Sequence, residues 1–197
     1  MRTAPVIGLL LLAAALLLSA SSALTDSEAA RVPGLSAIAH VAREIPVINL
    51  PRALREWNWG GGSCVHASTV MELRWCNNLA VARWWRETNS GGESFSGLTG
   101  KLRHAKIPYY ATSSGDTRVL ERCIRERRGA IIFYYPNHSI LLVHLDRQRA
   151  IVLDNNRIDQ YVEIPRDEFL ARWRGYGGVA VVPVLGAPAP PLPWLKQ

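Results

Sequence analysis

The chain has 197 residues, long enough for one ordinary domain with its own hydrophobic core and too short to require a second. Its formal net charge of +7 comes from basic residues scattered along the sequence. The densest group, Arg122, Arg125, Arg127 and Arg128, is interleaved with Glu121 and Glu126, which describes a solvated helix face in preference to a nucleic-acid surface, so no nucleic-acid partner is expected.

Residues 1 to 23 read as a signal peptide: Arg2 near the start, an apolar run from Val6 to Leu18, then small residues at Ser21 and Ala23. The run is too short to span a bilayer comfortably, so cleavage after Ala23 leaves no stable membrane span and the expected location is secreted, periplasmic or cell envelope. Losing Arg2 takes the net charge of +7 down to +6. Residues 24 to 49 form a leader segment, with an amphipathic run from Leu35 to Arg43.

The domain is expected over 50 to 185. Gly60, Gly61 and Gly62 mark a loop, since no helix or strand interior tolerates such a run cheaply. Apolar spacing from Cys64 to about Arg86 predicts helix, broken at Asn77 and Asn78. Further helices are predicted over Ser96 to His104, from an N-cap at Asp116 to Arg128, and over Arg166 to Trp173. Strands are predicted at Ile107 to Ala111, Ala130 to Tyr135, Ser139 to Leu145, Ala150 to Asp154 and Gly178 to Val184. Helices first and strands afterwards imply an α+β fold, with an N-terminal helical half packed on one side or end of a C-terminal antiparallel sheet. Residues 186 to 197 are a Pro-rich tail, expected as an extended, mobile end.

The chain holds three cysteines: Cys64, Cys76 and Cys123. Helical spacing sets Cys64 and Cys76 about 18 Å apart, beyond disulfide reach. Any intrachain bridge must then use Cys123, paired with Cys76; the alternative is that both stay free and buried. A bridge from Cys64 to Cys123 would end an enzymatic reading. Cys64 stands where the glycine loop becomes a helix, and there unpaired amides and the helix dipole favour a thiolate. His138 opens one strand and Asp154 ends the next, so a hairpin turning near Arg147 and Gln148 makes them neighbours. An acidic group there can hold one imidazole nitrogen while the other faces Cys64. His144 has the same strand parity but lies farther along, and His66 and His104 sit on helices. Cysteines and histidines lack zinc-binding spacing, so neither metal nor cofactor is expected. Trp57, Trp59, Trp75, Trp84, Trp85 and Trp173 are assigned to the core in preference to a cleft.

These pieces together resemble the papain-like cysteine peptidases, especially the bacterial branch that cleaves double-glycine leaders. The matching segments are Gly60 to Ser68, Gly129 to Ile132, Asn137 to Leu142, Ala150 to Asn155, and Phe169 to Trp173 with Gly175 and Tyr176. The resemblance implies Cys64 as nucleophile, His138 as general base, Asp154 as orienting residue, and a peptide or protein substrate. The family commonly carries glutamine six positions before the cysteine as oxyanion donor; here Asn58 stands there, one methylene shorter. Two other functions fit the pattern: a catalytically decayed binding module, and a transglutaminase-like acyl transferase. The sequence carries no sign of oligomeric state.

Overall fold

The computed structural model describes residues 50–193. The expected signal peptide and leader segment lie outside the described residues, as do positions 194–197 of the tail.

After a short 3-10 turn at Arg52–Leu54, the elements run α1 Cys64–Trp75, α2 Leu79–Thr88, α3 Phe95–His104, β1 Tyr109–Ser113, α4 Thr117–Arg125, β2 Ala130–Tyr134, β3 His138–Leu145, β4 Arg149–Leu153, β5 Tyr161–Pro165, α5 Arg166–Gly175 and β6 Val179–Pro183. The break between α1 and α2 falls at Asn77, whose φ of 58 is left-handed. Ser94 caps α3 through Gly97 N–H at 3.1 Å, and Asp116 caps α4 through Arg118 N–H at 3.0 Å. Helix α4 stops at Arg125, short of the expected Arg128, because Arg127 turns left-handed at φ 51.

All strands pair antiparallel, in the order β1-β6-β2-β3-β4-β5. The fold is α+β as expected, and α1 packs on β2 and β3. Helices do not keep to one side, however. Residues Ile131, Leu141, Ile151 and Val181 face the core shared with α1, α2 and α3. Their neighbours Ile132, Leu142, Val152 and Ala180 face a second core shared with α4 and α5. The period-2 alternation of the strands, apolar on both sides, is what lets the sheet carry two covers. Strand β5 was not among the predicted strands. It is an edge strand whose alternating Val162, Glu163 and Ile164 give only a short apolar signal, and Pro165 ends it.

The tail also departs from expectation, since its described part to Pro193 is held against the body. Arg128 donates to the carbonyls of Leu185 at 2.7 Å, Gly186 at 2.7 Å and Ala187 at 3.1 Å. Ala189 N–H donates to Arg127 O at 2.9 Å, and Ala189 and Leu192 are buried in the first core. Arg128 is therefore buried and not part of a solvated face, whereas Arg122, Arg125 and Arg127 are exposed.

Candidate active site

Cys64 is the first residue of α1 and is 9% exposed. The loop before it turns through positive φ at Gly62, where a Cβ would stand 3.2 Å from Gly92 Cα; only glycine lets the two loops meet. Ser63, the residue at the cap, gives α1 no side-chain bond; its Oγ accepts Gly91 N–H at 2.9 Å instead. The first amides of α1 thus stay available, and Val65 N–H is one of the donors facing the Cys64 sulfur.

Strands β2 and β3 form a hairpin in register Tyr134↔His138, and β3 and β4 in register Leu141↔Leu153. That second register brings the start of β3 beside the residues following β4. His138 Nε2 lies 2.8 Å from Asp154 Oδ1. The other ring nitrogen, Nδ1, is left free of Asp154; Cys64 lines the same cavity as His138, and its Sγ donates to Gly62 O at 3.4 Å. Asp154 Oδ1 also accepts Asn156 N–H at 2.9 Å, which fixes the carboxylate.

The electrostatics follow from these contacts. Burial alone would raise the Cys64 pKa, but the His138 hydrogen bond and charge, with Ser139 and Val65 N–H, outweigh it and hold the thiol below its ordinary value. Burial alone would lower His138; the hydrogen bonds to Asp154 and Cys64 overcome it and push His138 up to about 9. Asp154 sits below its usual value, since its bonds to His138 and to Asn156 N–H outweigh burial. The two shifts both favour the thiolate–imidazolium form of the pair, its titration shared between both groups.

Asn58 lies on the same side through its backbone: its N–H donates to Asn155 O at 3.0 Å. Its Oδ1 is buried without a hydrogen-bond partner among the described residues. The Cys64 cavity, about 410 Å³, is lined by Val65, Glu93, Phe95, Phe133, Tyr176 and Val179 among others, and Asn58 is not on its wall. A second cavity of about 340 Å³ lies on the far side of His138 and Asp154, floored by Ile140, Val152, Val162 and Ile164.

The remaining candidates are apart from this group. A bulge at Val143 shifts the alternation of β3, so His144 pairs with Ile151 and bonds Asp146 at 3.0 Å at the opposite end of the hairpin. His66 is fully buried and accepts Trp85 Nε1–H at 3.3 Å; burial drives it down to about 4, so it stays neutral. Cys76 and Cys123 are free and buried, in the first and second cores respectively, the unpaired one of the two arrangements expected. Trp75, Trp85 and Trp173 are core residues, while Trp57 is 55% and Trp84 43% exposed. Among the described residues no three His, Cys, Asp or Glu side chains are placed to share a metal ion, and no helix is long and apolar enough to cross a membrane.

Asn155 is not among the site candidates the sequence offers. It is fully buried, and its Nδ2 lies 3.1 Å from Cys64 O, 3.1 Å from Ser68 Oγ and 2.7 Å from Ser139 O. Short polar residues after a strand ordinarily signal a turn, so only the tertiary contact of α1 with β3 distinguishes this one.

No family model matches the chain, and no curated protein does. Solved structures do. A double glycine motif protease from an AMS/PCAT transporter, solved with its leader peptide, aligns at 20% identity over 72% of this chain and 93% of that one, with a TM-score of 0.46. A C39-like peptidase from Bacillus anthracis aligns at 13% identity over 71% of this chain and 98% of that one, with a TM-score of 0.52. At that identity what is shared is the backbone: this chain has the α+β, papain-like fold of the C39-like peptidase.

Proposed function

We propose that the protein is an exported thiol peptidase with Cys64 as nucleophile, His138 as acid and base, and Asp154 as the group that orients the ring. The observation that carries this reading is the His138 ring beside Cys64 on the wall of one cavity, with its Nε2 2.8 Å from Asp154 Oδ1.

In the first half-reaction the Cys64 thiolate attacks an amide carbonyl carbon, forming a C–S bond and an oxyanion. His138 then gives its proton to the leaving nitrogen as the C–N bond breaks, leaving a thioester and neutral imidazole. In the second half, His138 takes a proton from water as the hydroxyl attacks the thioester. The C–S bond breaks, the acid leaves, and the thiolate and imidazolium return. Val65 N–H, beside the sulfur, is proposed as a donor to the oxyanion, and the Asn58 amide, which lies off the cavity wall, would have to turn towards Cys64 to act as its side-chain partner. Cavities on both sides of His138 favour a polymer with residues on each side of the cut bond, as a peptide has.

The test is a peptide library incubated with the mature chain and read by mass spectrometry. Hydrolysis products that vanish with Cys64→Ala support the reading; products unchanged by Cys64→Ala contradict it. Incorporation of an added amine into glutamine side chains, without hydrolysis, would mark a transglutaminase-like reaction. A partner held equally by wild type and Cys64→Ala, with no turnover, would mark a binding module.

A further inference from the structure

The amide of Asn155 makes contacts from a single buried point to several elements of the site. Nδ2 lies 3.1 Å from Cys64 O and 2.7 Å from Ser139 O, and 3.1 Å from Ser68 Oγ, while the residue's own carbonyl takes Asn58 N–H at 3.0 Å. Ser68 Oγ closes the group by donating to Ser139 O at 3.2 Å. The orientation of the amide is forced. Exchanging its two atoms would turn Oδ1 onto two carbonyl oxygens, which donate nothing. As placed, Oδ1 is buried with no partner among the described residues. An unmet buried acceptor is unfavourable, and such departures from full satisfaction concentrate where function sets the geometry.

We propose that Asn155 is the positioning residue of this site, setting the Cys64 sulfur against the His138 ring by pinning the backbone at Cys64 and at Ser139. Holding Cys64 O fixes the first turn of α1 and therefore the direction of its sulfur. Holding Ser139 O fixes the residue after His138, whose own N–H also faces that sulfur. The chain places Asp154 one residue earlier, and the Asn155 carbonyl anchors the loop carrying Asn58. One residue thus fixes the spacing of groups drawn from the loop before α1, from α1, from β3 and from the turn after β4. Its catalytic consequence rests on the thiol-peptidase reading; its effect on the thiol does not.

The experiment compares wild type, Asn155→Ala, Asn155→Ser and Thr69→Val in the mature chain. Thr69 is an equally buried α1 residue whose hydroxyl donates to Val65 O at 2.8 Å and whose side chain makes none of the contacts above, so its variant controls for general loosening. The measurements are the pH dependence of Cys64 alkylation by iodoacetamide, peptide turnover, and thermal unfolding. The expected result for Asn155→Ala is a Cys64 alkylation midpoint at higher pH and kcat lowered at least tenfold, with KM within threefold. Asn155→Ser, which keeps one donor, should fall between, and Thr69→Val should keep the wild-type alkylation midpoint even where its melting temperature drops. An unchanged alkylation midpoint in both Asn155 variants would overturn the proposal, as would failure of both to fold, which would make Asn155 a folding residue only. A shifted midpoint in a protein that hydrolyses no peptide would sustain the positioning role while removing the peptidase reading.

Discussion

At the residue scale the decisive feature is a pair of opposed shifts. The Cys64 pKa is held below its ordinary value, and that of His138 is raised to about 9. The reactive form therefore exists above the folded thiol pKa and below that of the imidazolium. Turnover should show a bell-shaped profile, with an acid limb beneath the ordinary thiol range and an alkaline limb near 9 as His138 loses its proton. Asp154→Asn removes one of the contacts that raise His138, so the alkaline limb should move to lower pH and kcat should fall by roughly 10²-fold. A pH-rate series on both proteins checks this, and an unmoved alkaline limb would speak against Asp154 acting on the ring. The neighbourhood of His138 and Asp154 was legible in the sequence, because turn chemistry at Arg147 and Gln148 sets a hairpin register and the register sets the pair. The approach of Cys64 was not, since it depends on α1 meeting β3 through Ser68 and Ser139, 71 positions apart.

At the element scale, α1 is joined to the sheet at its far end by Glu72. That carboxylate accepts Gly129 N–H at 2.8 Å and the Cys76 thiol at 3.2 Å, and burial pushes it up to about 8. A raised carboxyl pKa means the fold keeps a proton that the unfolded chain has released. The stabilising contribution is complete below the unfolded value near 4.5 and is lost as pH rises through about 8. Glu72→Gln keeps an acceptor for Gly129 and cannot ionise, so it should flatten this decline and stabilise the protein more at pH 8 than at pH 5. Urea unfolding at the two pH values measures it; an equal effect at both would contradict a buried, titrating Glu72. Elements were legible where period and cap agreed, as at α4. Strand β5 was not, being short, and the placement of α4 and α5 was not either. With β6 inserted between β1 and β2, the path from β5 through α5 to β6 must cross the sheet, and α1 already covers the other face.

At the scale of the whole molecule, the tail closes the first core. Its prolines predicted an extended segment, but composition could not reveal that Arg128 would hold three successive carbonyls from Leu185 to Ala187. Ending the chain at Leu185 would uncover the surface beneath Ala189 and Leu192 and strip Arg128 of two acceptors. Burial of one leucine is worth about 2 kcal/mol, so with the lost hydrogen bonds the melting temperature should drop by roughly 5–10 °C. The limbs of the pH-rate profile should stay in place. Thermal unfolding of the shortened chain tests this, and an unchanged melting temperature would show that the strap contributes nothing.

The central claim is that one of the buried thiols is activated by an imidazole. The most direct measurement is the rate of alkylation of each cysteine in the native protein across pH, read by peptide mass spectrometry, in wild type and His138→Ala. Cys64 should react selectively near neutral pH, while Cys76, pushed up to about 12 by burial and Glu72, and Cys123, also raised by burial, should stay unmodified. His138→Ala should move the Cys64 reaction to alkaline pH. Labelling of all three thiols at one rate, and only after denaturation, would contradict the account.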